Sequence, residues 1–187
     1  EQMRSVTRLS ILFVLLVASS RVEGVTIDFE SYARFDTPSN EFQAQGVLFS
    51  GTFNQIGDVV IGDFGVFDFG GSLSQALFYG GPGAVLNMDF VLPDGTDAVT
   101  DFASLRVGDG DGASESFRVS FFDIDNLLLN SQDFTTTSGP VNGGVTVSYS
   151  GPGIHQVQVL GLPGASGGSV DDLTFNDLKG IEGLVNP

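Results

Sequence analysis

The sequence predicts an all-β domain, a two-sheet antiparallel jelly-roll β-sandwich. Three observations carry that prediction. Apolar and polar residues alternate with period two, rich in Val, Phe, Thr and Ile, from Val25 onward. Clusters of Gly, Pro, Asn and Asp interrupt the alternation at a spacing of roughly ten residues, as in sandwiches. Beyond an apolar block near the start, no window of helical length places apolar residues at i, i+3, i+4 and i+7.

Taken in order, the alternation predicts strands over 26–29, 47–53, 59–61, 77–79, 84–90, 98–107, 116–123, 127–134, 144–149, 154–160 and 169–175. Half-buried strands show it best: Phe117, Val119 and Phe121 form one face, Arg118 and Ser120 the other. Turn chemistry separates the strands at Pro93-Asp94-Gly95, Asp109-Gly110-Asp111-Gly112, Asp125-Asn126, Asn142-Gly143-Gly144 and Gly151-Pro152-Gly153. No internal repeat is visible, which argues against a propeller or solenoid. A chain of 187 residues suits one domain with a real core, and its 17 Phe supply the apolar payload for it.

The first 24 residues read differently. Arg4 and Arg8 precede an apolar block over 9–18, and a polar stretch with small residues follows, the pattern of a secretory signal peptide. A block of about ten residues falls short of the roughly 20 that span a bilayer. The expected organisation is a signal peptide over 1–24, a jelly-roll domain over 25–178 and a short polar tail over 179–187, giving a secreted chain with no membrane span after cleavage. Export permits disulfides, yet there is no Cys, so stability rests on the core and on any bound metal.

The formal charge is −16, from seven Lys and Arg against 23 Asp and Glu. Losing residues 1–24 removes three cations and two acids and leaves four against 21, a charge of −17. Such a field repels nucleic acid and anionic membranes. Solubility alone accounts for part of the acid excess; a divalent cation, a neutral sugar or a basic partner fits the rest.

Five segments together resemble the galactose-binding-like jelly rolls, the scaffold of many carbohydrate-binding modules and of exported bacterial domains of the PEP-CTERM type. They are Ile27-Asp28-Phe29-Glu30, Gln45-Gly46-Val47-Leu48-Phe49, Phe102-Ala103-Ser104-Leu105-Arg106-Val107-Gly108, Phe121-Phe122-Asp123-Ile124-Asp125-Asn126 and Ser169-Val170-Asp171-Asp172-Leu173-Thr174-Phe175. The resemblance implies that the first and last strands run close together and that a structural calcium ion ties them through Glu30 and Asp171. The sorting tail of the exported members is missing from this sequence.

The residues themselves add to the calcium expectation. Asp28 and Glu30 lie two apart on a strand, so their carboxylates leave one face about 7 Å apart. A hard cation with six to eight oxygen ligands can join them to Asp171 or Asp172. Simple alternation lets only one of that adjacent pair share the face, and the resemblance favours Asp171. The opposing reading is four solvated strand-end charges. The run Asp109-Gly110-Asp111-Gly112-Ala113-Ser114-Glu115 opens like a calcium loop but has Ser120 where an EF-hand needs Glu, and reads as an acidic turn, as does the Asp123 and Asp125 pair.

Catalysis finds little support. With no Cys and a single His, His155, thiol and multi-histidine zinc chemistry are excluded. Carboxylate pairs suited to glycoside hydrolysis arise by chance in so acidic a chain. Trp is absent and Tyr occurs only at 32, 79 and 149, so a broad aromatic sugar platform is not expected, although Tyr32, Tyr79, Gln75 and Asn87 could line a small cleft. The expected function is non-catalytic: a secreted, calcium-stabilised module that binds a glycan or extracellular matrix component or serves as structure. The alternatives are a true carbohydrate-binding module and a small polysaccharide-degrading enzyme.

Overall fold

The structure, a computed structural model, describes residues 24–31, 40–52, 60–62, 76–80, 83–109, 114–136, 144–165 and 167–181. Residues 1–23 of the expected signal peptide, Tyr32, Gln75 and the 110–113 part of the acidic loop lie outside the described residues, as do the 182–187 part of the tail and the side chain of Tyr79.

Twelve strands are described: β1 Val25–Ile27, β2 Val47–Thr52, β3 Val60–Gly62, β4 Ala76–Gly80, β5 Val85–Phe90, β6 Ala98–Asp109, β7 Ser116–Phe122, β8 Leu128–Thr135, β9 Val145–Ile154, β10 Gln156–Gly161, β11 Gly167–Phe175 and β12 Lys179–Gly180. They form two antiparallel sheets. One has five strands in the order β2-β5-β10-β7-β8; the other follows β12-β6-β11-β4-β3, with β1 beside β11 and β9 beside β6. Neighbours far apart in sequence, such as β2 with β5 and β5 with β10, give the crossed connectivity expected of a jelly roll.

Alternation explains the packing between the sheets. Leu86, Met88 and Phe90 of β5, Phe117, Val119 and Phe121 of β7, Val157 and Val159 of β10, and Leu105 and Val107 of β6 are all buried in one core. Phe29, Phe42 and Phe49 stack edge to face within it, with centroids 5.2 to 5.7 Å apart. Gly46 ends the 3-10 turn at Gln43–Gln45 with a φ of 101°, a left-handed conformation that glycine adopts without strain.

Two expectations need correction. Gly151-Pro152-Gly153 is not a turn between strands, because β9 runs through it. Thr100 pairs with Ile154 and Phe102 with Ser150, so these three residues bulge opposite Asp101 alone. The tail also begins within the sheet: Lys179 and Gly180 pair with Val99 and Ala98. Asp101 fastens it, accepting from Asn176 Nδ2 at 2.9 Å and lying 3.7 Å from Lys179 Nζ.

Candidate functional site

Where β1 meets β11, Thr26 pairs with Thr174 and Ile27 with Leu173, so Asp28 leaves its strand beside Asp172. The first strand and the 169–175 strand are therefore hydrogen-bonded neighbours. Asp28 Oδ1 accepts the Glu30 amide at 3.2 Å, turning the chain away after Phe29, whose φ is 59°.

A β-bulge shapes the other side. Asp171 faces Arg106 and Thr174 faces Ser104, which leaves Asp172 and Leu173 opposite Leu105 alone, with Asp172 at a φ of 49°. Val170 and Leu173 both enter the core, three positions apart, and the two acids between them stay out of the apolar layer together. The bulge interrupts the simple alternation that would set adjacent acids on opposite faces. Asp171 is nonetheless 0% exposed, its Oδ1 accepting the Asp172 amide at 2.8 Å.

Charge converges on Asp172. Partial burial raises its pKa, the Arg106 guanidinium works against that rise, and Asp28 and Glu30 add to it. Ser169, on the same strand face as Asp171, has a buried hydroxyl with no hydrogen-bond partner among the described residues. Among those residues no three His, Asp or Glu side chains gather closely enough to hold one metal ion. The junction gathers like charge around Asp172, opposed by Arg106, without bringing three such ligands together among the described residues.

A raised pKa gives a signed prediction. Asp172 favours the folded state below its ordinary value of 3.8 and loses that advantage as pH rises through the raised one. In EDTA, Asp172→Asn should raise the urea midpoint at pH 7 and leave it unchanged near pH 3, a difference that unfolding curves across that range will read.

The second feature is the outer face of the five-stranded sheet. Register carries Ser50, Asn87, Gln158, Ser120 and Ser131 side by side across β2, β5, β10, β7 and β8. Gln158 Nε2 donates to Asn87 Oδ1 at 2.9 Å, and the Ser120 and Ser131 hydroxyls lie 3.1 Å apart. On one side runs a parallel row of Leu48, Asp89, Gln156, Phe122 and Leu128, where Gln156 Nε2 donates to Asp89 Oδ1 at 2.6 Å. On the other side Val85, Leu160, Arg118 and Asp133 form a third row. Arg118 and Asp133 make a two-bonded fork at 2.6 and 2.8 Å, which lowers the pKa of Asp133 chiefly through the hydrogen bond.

With strands about 4.8 Å apart, the central row is on the order of 19 Å long. It offers hydroxyl and amide groups, each both donor and acceptor, and no net charge. Sequence reasoning named Asn87 but missed the row. Its signal was the polar alternate of each core strand, Asn87 and Asp89 in β5 or Gln156 and Gln158 in β10, where a sandwich wanting only solubility carries Lys and Glu. His155 is structural: its Nδ1 lies 2.8 Å from the Ala98 carbonyl oxygen, joining the two sheets.

No known protein family and no curated protein matches the sequence. Solved structures do match in shape. An arabinose-bound GH51 α-L-arabinofuranosidase aligns over 83% of this chain with a TM-score of 0.53 and 10% identity. This chain spans 26% of that enzyme's length. The K1 cleaved adhesin domain of Lys-gingipain from Porphyromonas gingivalis aligns over 82% of this chain and 97% of its own, with a TM-score of 0.49 and 12% identity. The TmCBM61 module in complex with β-1,4-galactotriose aligns over 78% and 100%, with a TM-score of 0.47 and 12% identity. At such identities the likeness concerns architecture alone: the chain is a two-sheet antiparallel β-sandwich.

Proposed function

We propose that this protein is a secreted, non-catalytic binding module that takes a neutral glycan across the outer face of its five-stranded sheet. The observation that carries the reading is the row Ser50, Asn87, Gln158, Ser120 and Ser131, neutral donors and acceptors held in register on five strands. Hydroxyl-rich ligands pair with such groups, and the hydrogen bond that Gln158 donates to Asn87 holds both amides ready. Secretion is supported by the signal-peptide pattern of the first 24 residues. A screen of neutral oligosaccharides against the purified domain tests the proposal; the absence of any binder among them would end it.

A catalytic reading is less well supported. Glycoside hydrolysis needs a carboxyl held above its usual pKa to act as general acid, and the Arg118 fork drives Asp133 the other way. Incubation with bound glycans should release no reducing sugar. Release that disappears in Asp89→Asn or Asp133→Asn would make the protein a polysaccharide-degrading enzyme instead.

Calcium between β1 and β11 belongs to the same proposal, with Glu30 and Asp171 as its first ligands and Asp28 and Asp172 after them. Its support is the buried Asp171, the spare Ser169 hydroxyl and the mutual repulsion of Asp28, Glu30 and Asp172. At about ten times its dissociation constant the ion adds roughly 1.4 kcal/mol, or about 4 °C in Tm. Melts in EDTA and in millimolar calcium, repeated for Glu30→Gln and Asp28→Asn, read this directly, and an unchanged Tm removes the metal.

A further inference from the structure

The β7 to β8 hairpin sets an apolar shelf at one end of the glycan face. Leu127 is 65% exposed and Leu128 51%, and with Val25 they are the large apolar side chains most open to water among the described residues. Leu128 pairs across the strands with half-buried Phe122, in the row next to the Ser120 and Ser131 hydroxyls. The register shifts between Phe121 and Phe122, and the extra residue, Leu129, packs on the core, so the outward position falls to Leu128.

The turn that presents these leucines is tightly tied. Asp123 Oδ1 accepts from the amides of Asp125 at 3.0 Å and Leu127 at 2.8 Å. The Asp123 amide donates to the Leu127 carbonyl at 3.0 Å, and the Asn126 amide to the Asp123 carbonyl at 3.1 Å. The shelf is therefore preorganised, and a ligand that covers it loses little entropy to ordering.

We propose that the glycan taken by this face carries a neutral apolar substituent, a deoxy methyl or an acetyl group, seated on Phe122, Leu127 and Leu128. The inference rests on the glycan reading above and names the class of sugar. A ligand reaching from the serine pair to the shelf must turn hydroxyls to one and hydrocarbon to the other. Its substituent is uncharged, because Asp89 shares a row with Phe122 and the nearest cation of the face, Arg118, is engaged by Asp133. Acidic and sulfated sugars find repulsion there.

Calorimetry on the purified protein with two matched neutral pairs is the test. The pairs are cellotetraose against its N-acetylglucosamine counterpart, and L-galactose against its 6-deoxy form. The substituted member of at least one pair should bind about fourfold tighter per buried methyl, and the pair that responds tells acetyl from methyl. The double variant Leu127→Ser, Leu128→Ser, altered at solvent-exposed positions, should abolish that preference while keeping affinity for the unsubstituted sugar. Equal binding of both members overturns this inference and leaves the glycan reading standing. No binding to either overturns both, and an oligomer in sedimentation that the double variant dissolves reassigns the shelf to a contact between copies.

Discussion

Replacing Phe29 with alanine is expected to cost about 3–5 kcal/mol and to lower the melting temperature by on the order of 10 °C. Its ring is fully buried and meets Phe42 and Phe49 edge to face at 5.3 and 5.7 Å. Removing it opens a cavity beyond the end of β1 and unpacks Phe42 and Phe49. The backbone offers a sharper check. Phe29 sits at a φ of 59°, which costs an L-residue about 1–2 kcal/mol and glycine nothing. Phe29→Gly should therefore be more stable than Phe29→Ala, the reverse of the usual order at a position of negative φ. Chemical unfolding of both variants decides it, and an alanine variant as stable as the parent would mean that this aromatic cluster does not hold the N-terminal segment.

Truncating both amides at the centre of the outer face, Asn87→Ala with Gln158→Ala, should weaken glycan binding by roughly 30-fold, about 2 kcal/mol for two hydrogen-bonding side chains. Their mutual bond at 2.9 Å disappears with them, so neither is left facing an abandoned partner, and stability should change little. Titration calorimetry with a bound neutral oligosaccharide, beside a thermal melt, separates the two effects. A double variant that binds as tightly as the parent would place the ligand elsewhere on the protein.

Strand positions were legible because burial of one face imposes a two-residue rhythm that amino-acid choice must follow. Phe117, Val119 and Phe121 obey it, and all three are fully buried. Ser120 obeys it in direction but not in exposure: it points outward and yet is 5% exposed, because Gln158 and Ser131 flank it in register. Sequence shows which way a side chain points and is silent on which long neighbours lie over it. The same silence hid the binding row, whose five members come from five strands and meet only through register.

Two of the bulges were illegible for a related reason. Gly151-Pro152-Gly153 has the chemistry of a reversal, and Gly153 does take a φ of 80°. The long ladder with β6 nevertheless carries the chain straight on, so the kink is absorbed as a bulge. At Asp171-Asp172 nothing local announces a left-handed residue. It arises because Val170 and Leu173 must both reach the core against partners in β6, and the position between them that tolerates positive φ is an aspartate. The charged junction that follows is a product of sheet pairing rather than of any motif.

The placement of β11 has a consequence for how the chain reaches this state. It pairs with β1, β4 and β6, and so binds together segments from nearly the whole domain. Thr26 and Thr174, whose hydroxyls lie 3.0 Å apart, are separated by 148 positions. During synthesis the first strand emerges long before its partner, and until residues 167–175 follow, three strands expose unsatisfied edges. Closing so large a loop gains nothing until it is complete, so refolding should be slow for a domain of this size, on the order of milliseconds to seconds. Production as a soluble protein will then depend on keeping the nascent chain from pairing with its neighbours, a task for which its strong like-charge repulsion is well suited.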